Sequence, residues 1–408
     1  MLRENPLVNT ISILGTALSI AMILVIVLVF QINHANYAPE SNRDRMLYIM
    51  GTEVYCESVT QRNRGNMSAE VVKECFYTLQ TPEVVTAIAN AMRPISLPSE
   101  RLFTVYNITY TDTNYWNVFD FKFLAGSPFT EADFSSGLRR VVVSERTARE
   151  LFKTVDVVGK EIVFDNMTYT ICGVVKTTSS AAKFTSADVW PSYTSKAGLI
   201  EGAQEGMSGS FRVILLAKKK SDFKAIQAEL DQQLVQYNAA KQDCKISFPT
   251  GLINQLDLAI GSGSFRKVPL KDYLLNQGSI LLFLLLIPAL NLVGIVMSSV
   301  RKRRGEIGLR KSFGATNGVI VRQILFENMV LTMISAILGF GLSFLLLHFG
   351  KSFMLSKGML LTVDMLLKPG LFVAVLVFAL LLNLLSAGLP ALNITRHQII
   401  DSLNDSNK

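Results

Sequence analysis

Histidine is scarce in this 408-residue chain: three occur, scattered at 34, 348 and 397. No C-x-x-C pair and no His/Cys cluster is present, so no metal site is expected. Three phosphate or catalytic signatures are missing as well. No G-x-x-x-x-G-K-[ST] occurs. The run Gly261-Ser-Gly-Ser-Phe-Arg lacks the following Lys-Ser/Thr, and Gly314-Ala-Thr-Asn-Gly318 is too short. ATP hydrolysis by a P-loop in these residues is thereby excluded. There is no G-x-S-x-G elbow and no H-E-x-x-H, so no hydrolase constellation is offered. Charge is nearly absent from the long apolar stretches. Glu327 and His348 sit only at the ends of one, which reads as interfacial placement. An intramembrane protease or a proton-driven carrier would need ionisable groups deeper in. No low-complexity tract appears.

What is present is half hydrophobic by residue. Four stretches are long enough to cross about 30 Å of hydrocarbon as helices, at roughly 11–32, 278–300, 328–349 and 369–392. In the fourth, Asn383 and Ser386 are tolerable if the helix packs against others. Pro288 and Asn291 are expected to kink the second. Residues 33–272 have ordinary soluble composition, enough for one or two compact domains.

The formal charge of +8 does not point to nucleic acid. Seven basic residues (Arg301, Lys302, Arg303, Arg304, Arg310, Lys311 and Arg322) stand against one acid, Glu306, in 301–322. Such a juxtamembrane cluster holds a loop in the cytoplasm and favours anionic lipid. With 301–322 inside, both termini are cytoplasmic and 33–272 lies outside. The first stretch is longer than a signal-peptide core, and no clear A-x-A site follows it.

The outer segment reads as α+β. Expected strands are Met46–Val54, Arg101–Tyr110, Arg140–Val143, Phe211–Ala217 and Lys245–Phe248. A hairpin is expected around Asp165-Asn166, flanked by Glu161–Phe164 and Tyr169–Val175. Pro82–Met92 reads as a helix, with Pro82 in its first turn, Glu83 at the positive dipole end, and Val84, Val85, Ile88 and Met92 on one face. Ser144 is expected to cap a helix over Glu145–Phe152. Ser221 is expected to cap one that carries Phe223, Ile226, Leu230 and Leu234. Strands concentrate at about 100–190, which suggests a separate lobe. All four cysteines (Cys56, Cys75, Cys172 and Cys244) fall in this segment, where disulfides persist. Cys56 and Cys75 are close enough in sequence to pair, four free buried thiols are equally compatible, and nothing specifies the connectivity.

The sharpest signal lies at 303–316. Glu306 and Arg310 form an i,i+4 pair on a helix. Ile307, Leu309 and Phe313 are apolar anchors among charges, and Gly314 can end the helix in the left-handed region. By composition alone this is a basic turn that sets topology. The order Arg303-Arg-Gly-Glu-Ile-Gly-Leu-Arg-Lys-Ser-Phe-Gly-Ala-Thr316, however, resembles the cytoplasmic motif of FtsX-like permeases, R-x-x-E-I-G-x-x-x-A-x-G-A-x. Ser312 stands where that family usually has Ala. Asn9-Thr-Ile-Ser-Ile-Leu-Gly15 resembles the family's first helix. Val141-Val-Val-Ser-Glu-Arg-Thr-Ala148, Val158-Gly-Lys160 and Tyr169-Thr-Ile-Cys-Gly-Val-Val175 resemble the MacB-type periplasmic core domain. Pro390-Ala-Leu and Ile400-Asp-Ser-Leu403 resemble the closing signature.

The resemblance implies a membrane protein of α+β class, with four transmembrane helices and a large two-lobed α+β extracytoplasmic domain between the first and second. Residues 1–32 would hold the cytoplasmic N-terminus and first helix, 33–272 the periplasmic domain, and 273–408 the FtsX-like permease domain, in a bacterial inner membrane. Glu306, Ile307, Gly308, Leu309, Arg310, Lys311, Gly314 and Ala315 would dock on an ABC ATPase. The ATPase fused in MacB is not in this sequence, so a separate dimeric ATPase subunit is implied, and that partner would hold ATP and Mg. The permease itself would be a homodimer or a heterodimer with a paralogue, with room for a periplasmic adaptor and an outer-membrane channel. Its function would be to couple ATP hydrolysis to movement of the periplasmic domain, for export or extraction of a substrate. The alternative is an FtsX-like signal to a cell-wall hydrolase. Gly15 and Ser19, and Ser335, Gly339 and Ser343, have the small-xxx-small spacing of close helix packing. No residue marks a substrate site.

Overall fold

β-branched runs at Val84-Val85-Thr86 and Val141–Val143, and the aliphatic run Val213–Leu216 that opens with Val-Ile, favour a pleated, extended chain. In the computed structural model they form the middle of one sheet. The structure describes residues 6–58, 61–98, 103–201, 206–280, 282–283, 286, 309, 312–354 and 369–396. The chain divides into two units, one built around Ile32–Leu270 and the other from the segments flanking it.

The strands of the first unit are β1 Met46–Ile49, β2 Thr52–Cys56, β3 Gln61–Met67, β4 Val84–Ile95, β5 Thr104–Thr111, β6 Phe123–Gly126 and β7 Arg140–Ser144. They continue as β8 Glu161–Phe164, β9 Met167–Val175, β10 Val189–Pro191, β11 Ser208–Gly209, β12 Arg212–Leu216, β13 Cys244–Ser247 and β14 Ile253–Asn254. Ten of them form a mixed sheet in the order β14-β1-β12-β4-β5-β10-β7-β9-β6, with β8 on β9. The β5–β10 and β7–β9 pairs are parallel. Four strands form a second sheet, β11-β3-β2-β13. The strands of 100–190, expected as a separate lobe, belong to the same ten-stranded sheet as β1, β4 and β12.

Both faces of the large sheet are covered. Val213 and Leu215, with Val141 and Val143, enter one core; Ile214 and Leu216, with Val142, enter the other. This explains the main departure from the sequence reading. Pro82–Met92 is not a helix: Val84–Ile95 is a strand paired with β12 and β5. Residues 85–89 are all buried, so the two-residue alternation of a half-exposed strand is missing, and the remaining apolar spacing fits a helix equally well.

Two smaller departures have local causes. Met46–Val54 is two strands in different sheets, broken at Met50-Gly51, where a Cβ on Gly51 would lie 2.6 Å from the Ser264 Cβ. Ser221 sits in a 3-10 turn, Lys220–Asp222, and Asp222 takes the N-cap position of Phe223–Ala239. Other expectations match. Asp165 and Asn166 both have positive φ, 49° and 58°, as a tight hairpin of this twist requires. Ser144 Oγ accepts from Thr147 N at the start of Glu145–Phe152.

The second unit contains α1, Pro6–His34, as far as Gln31, together with α2, Asn317–Met354, and α3, Pro369–Arg396. Residues 270–280 are helical. Among the described residues, two helices are long and apolar enough to cross a membrane, at Ile13–His34 and Gly318–Phe349; Pro369–Leu381 is a shorter apolar helix. Ile20, Ile23 and Leu24 of α1 pack with Ala336 of α2 and with Phe372 and Val375 of α3. Val25 and Leu28 meet Leu347 and Leu371. Phe340 and Phe372 meet edge-on, with ring centroids 4.1 Å apart. The second expected span, 278–300, lies almost wholly outside the described residues.

Candidate functional site

The basic segment comes into view at Leu309. Leu309 and Ser312 are helical, and Phe313 N donates to Leu309 O at 3.2 Å. Gly314 then has φ +88°, a value that a side chain would disfavour, and the helix stops there. Thr316 O accepts from Val319 N and Ile320 N and opens α2. Leu309 is 61% exposed and Phe313 is 84% exposed. Two large apolar side chains four residues apart are thus exposed, on the turn that leads into a long apolar helix. Ala315 is half-buried beside them, and Arg322 is exposed one turn into α2. Glu306, Ile307, Gly308, Arg310 and Lys311 lie outside the described residues.

Four of the five small residues singled out for helix packing are buried or at a close approach. A Cβ on Gly339 would lie 2.7 Å from Ala17 O and 3.1 Å from the Ile20 side chain. The α1 and α2 backbones therefore approach closely at Gly339. Ser335, Ser343 and Ser19 are buried, and Gly15 is half-buried. The hydroxyls bond within their own helices: Ser19 to Gly15 O at 3.0 Å, Ser335 to Leu331 O at 2.8 Å, and Ser343 to Phe340 O at 2.7 Å. What they offer the neighbouring helix is small size, since their hydrogen bonds are already used locally.

The cysteines offer no reactive centre. Cys56 is disulfide-bonded to Cys244, its direct partner across β2 and β13, with Cα atoms 4.0 Å apart. The proximity of Cys56 and Cys75 in sequence is therefore not used: 188 positions separate the bonded pair, and only the sheet brings them together. Burial pushes the Cys75 thiol up to about 12 and Cys172 to about 11, so neither is a thiolate at neutral pH.

A buried ion pair, Glu40 with Arg43, escaped the sequence reading. Its signal was an acid and a base three residues apart just after the first apolar stretch, a spacing too common to stand out.

Residues 10–233 match the family model for the MacB-like periplasmic core domain, and residues 278–399 match the FtsX-like permease C-terminal model. The chain is 25% identical over 340 residues to the uncharacterized ABC transporter permease YknZ of Bacillus subtilis, covering 82% of this chain and 81% of that protein. It is 26% identical over 237 residues to the pyoverdine export ATP-binding/permease protein PvdT of Pseudomonas fluorescens, covering 57% of this chain and 34% of that one. The matched segment is thus about a third of that exporter's length. Among solved structures, the extracellular domain of YknZ aligns with a TM-score of 0.36 at 16% identity, over 48% of this chain and 99% of that one.

Proposed function

The chain belongs to the family of ABC transporter permeases that join a MacB-like periplasmic core domain to an FtsX-like C-terminal domain, and on that premise we propose that it is a mechanically coupled permease driven by an ATPase on another chain. The reading has four membrane helices, both termini in the cytoplasm, and the Ile32–Leu270 domain on the outer side. Leu309 and Phe313 carry it: two exposed apolar anchors in a basic turn are a surface built to be covered. Covering one Leu or Phe is worth about 1.5–3 kcal/mol. The pair, framed by Arg310, Lys311 and Glu306, suits a groove on a protein partner.

In this reading Glu306, Ile307, Gly308, Leu309, Arg310, Lys311, Gly314 and Ala315 form the docked helix and its end. The ATPase dimer binds ATP and Mg, and its closure shifts the docked helix. Gly15, Ser19, Ser335, Gly339 and Ser343 let α1 and α2 pack closely enough to move as a lever. The output is movement of the core domain, used to export or extract a substrate from the periplasm or outer leaflet. Two permease copies, or one with a paralogue, would match two ATPase subunits.

The test is purification of the tagged full chain from its own membranes in mild detergent, with bound proteins identified by mass spectrometry. An ABC ATPase together with an adaptor or outer-membrane channel supports export. An ATPase with a cell-wall hydrolase turns the function to signalling. An intact complex without any ATPase overturns the proposal.

A further inference from the structure

The end of α1 is held by two side chains, Arg43 and Gln255. A helix leaves its last carbonyls without intrahelical donors. Here side chains supply them. Arg43 Nη1 donates to Ile32 O at 3.0 Å and to Ala35 O at 3.2 Å. Gln255 Nε2 donates to Asn33 O at 2.6 Å, and its Oε1 accepts from Tyr48 OH at 2.7 Å. Arg43 Nη2 donates to Ala181 O at 2.8 Å, and Nε to Glu40 Oε2 at 2.6 Å. The guanidinium lies over the Tyr37 ring at 4.0 Å. Glu40 Oε1 accepts from Phe184 N at 3.0 Å and Thr185 Oγ1 at 3.2 Å.

Both charged side chains are 1% exposed. Burial works against the Arg43 charge, but the Glu40 carboxylate beside it outweighs that and holds the guanidinium above its ordinary range. A buried pair of this kind is a weak source of stability, because desolvation consumes most of the attraction, and apolar residues of similar volume often do as well. What an apolar pair lacks is direction. Arg43 aims its fork at the helix end and at Ala181 O at once, and Glu40 accepts from Phe184 and Thr185 in the same loop.

We infer that Arg43, braced by Glu40, is a positioning residue that clasps the Ile32–Ala35 turn to the 181–185 loop, so that turn and loop move together. The inference rests on the proposed transmission for its use, although the clasp itself does not need it. Hydrogen exchange of the full-length protein in lipid nanodiscs tests it. In the double variant Glu40→Leu/Arg43→Met, exchange in 30–37 and 179–187 should speed up at least about tenfold, with 212–217 unchanged. Arg43→Lys, which keeps the charge but not the fork, should give a smaller rise in the same two stretches. It decides the matter by itself if the double variant does not fold. Unchanged exchange in both stretches overturns the clasp. So does an equal rise in 212–217, which would mean general stabilisation. With the ATPase and ATP added, wild type should show altered exchange in 309–313 and in 179–187, and the double variant only in 309–313. If wild type shows no ATP-dependent change at all, the transmission reading fails, while the nucleotide-free comparison still judges the clasp.

Discussion

Gly339 offers the most quantitative check on the helical unit. Its hydrogen faces Ala17 O, and a Cβ would sit 2.7 Å from that oxygen and 3.1 Å from the Ile20 side chain. The oxygen belongs to the backbone, so relief requires the helices to part. Overpacking of this kind costs about 1–3 kcal/mol. Replacing Gly by Ala inside a helix also gains up to about 1 kcal/mol of intrinsic propensity, which would blur the result. Gly341, two residues on in α2, removes that ambiguity, since nothing lies within 4 Å of its Cβ position. Gly339→Ala and Gly341→Ala share the propensity gain, and only the first carries the clash. The full-length protein in detergent, followed by fluorescence size-exclusion after heating, should show Gly339→Ala melting several degrees below Gly341→Ala. Two variants melting together, or Gly339→Ala melting higher, would refute the close approach of α1 and α2.

Three further predictions concern the Ile32–Leu270 unit. Thiol titration of the denatured, unreduced protein should find two free cysteines, Cys75 and Cys172, and four after reduction. Cys56→Ser/Cys244→Ser should lower the domain's resistance to denaturant by about 2–5 kcal/mol, given the long loop the bond closes. Burial raises the Asp165 carboxyl, but the hydrogen bond and charge of Lys196, with Arg93, outweigh it and hold the group below the usual range. A depressed carboxyl stabilises the fold above its unfolded value of about 4, and that contribution is lost as pH falls through the folded value. Wild type should therefore lose more stability than Asp165→Asn below about pH 4 in acid-denaturation curves.

Legibility in the sequence followed how local each cause is. The Asp165-Asn166 hairpin, the Ser144 cap and the Gly314 stop are set by residues within a few positions of each other, and all three were readable. Val84–Ile95 was not: its strand state comes from pairing with β12 and β5, and burial on both faces erased the alternation that would have marked it. The Cys56–Cys244 bond depends on β2 meeting β13 across 188 positions, which spacing cannot convey. Leu309 and Phe313 stand out in the sequence because an apolar residue in a basic turn is conspicuous by type, and both are exposed. Glu40 and Arg43 were not, because their burial is decided by Ala181, Phe184 and Thr185, far along the chain.

The central claim is that the turn at 309–316 grips an ATPase. Leu309→Asp tests it most directly, in the full chain expressed at wild-type level and normally inserted. Losing about 1.5–3 kcal/mol of burial corresponds to roughly tenfold or more in affinity. Co-purification of the ATPase, and the transport-linked function, should fall by at least that factor. Unchanged ATPase binding together with unchanged function would contradict the account.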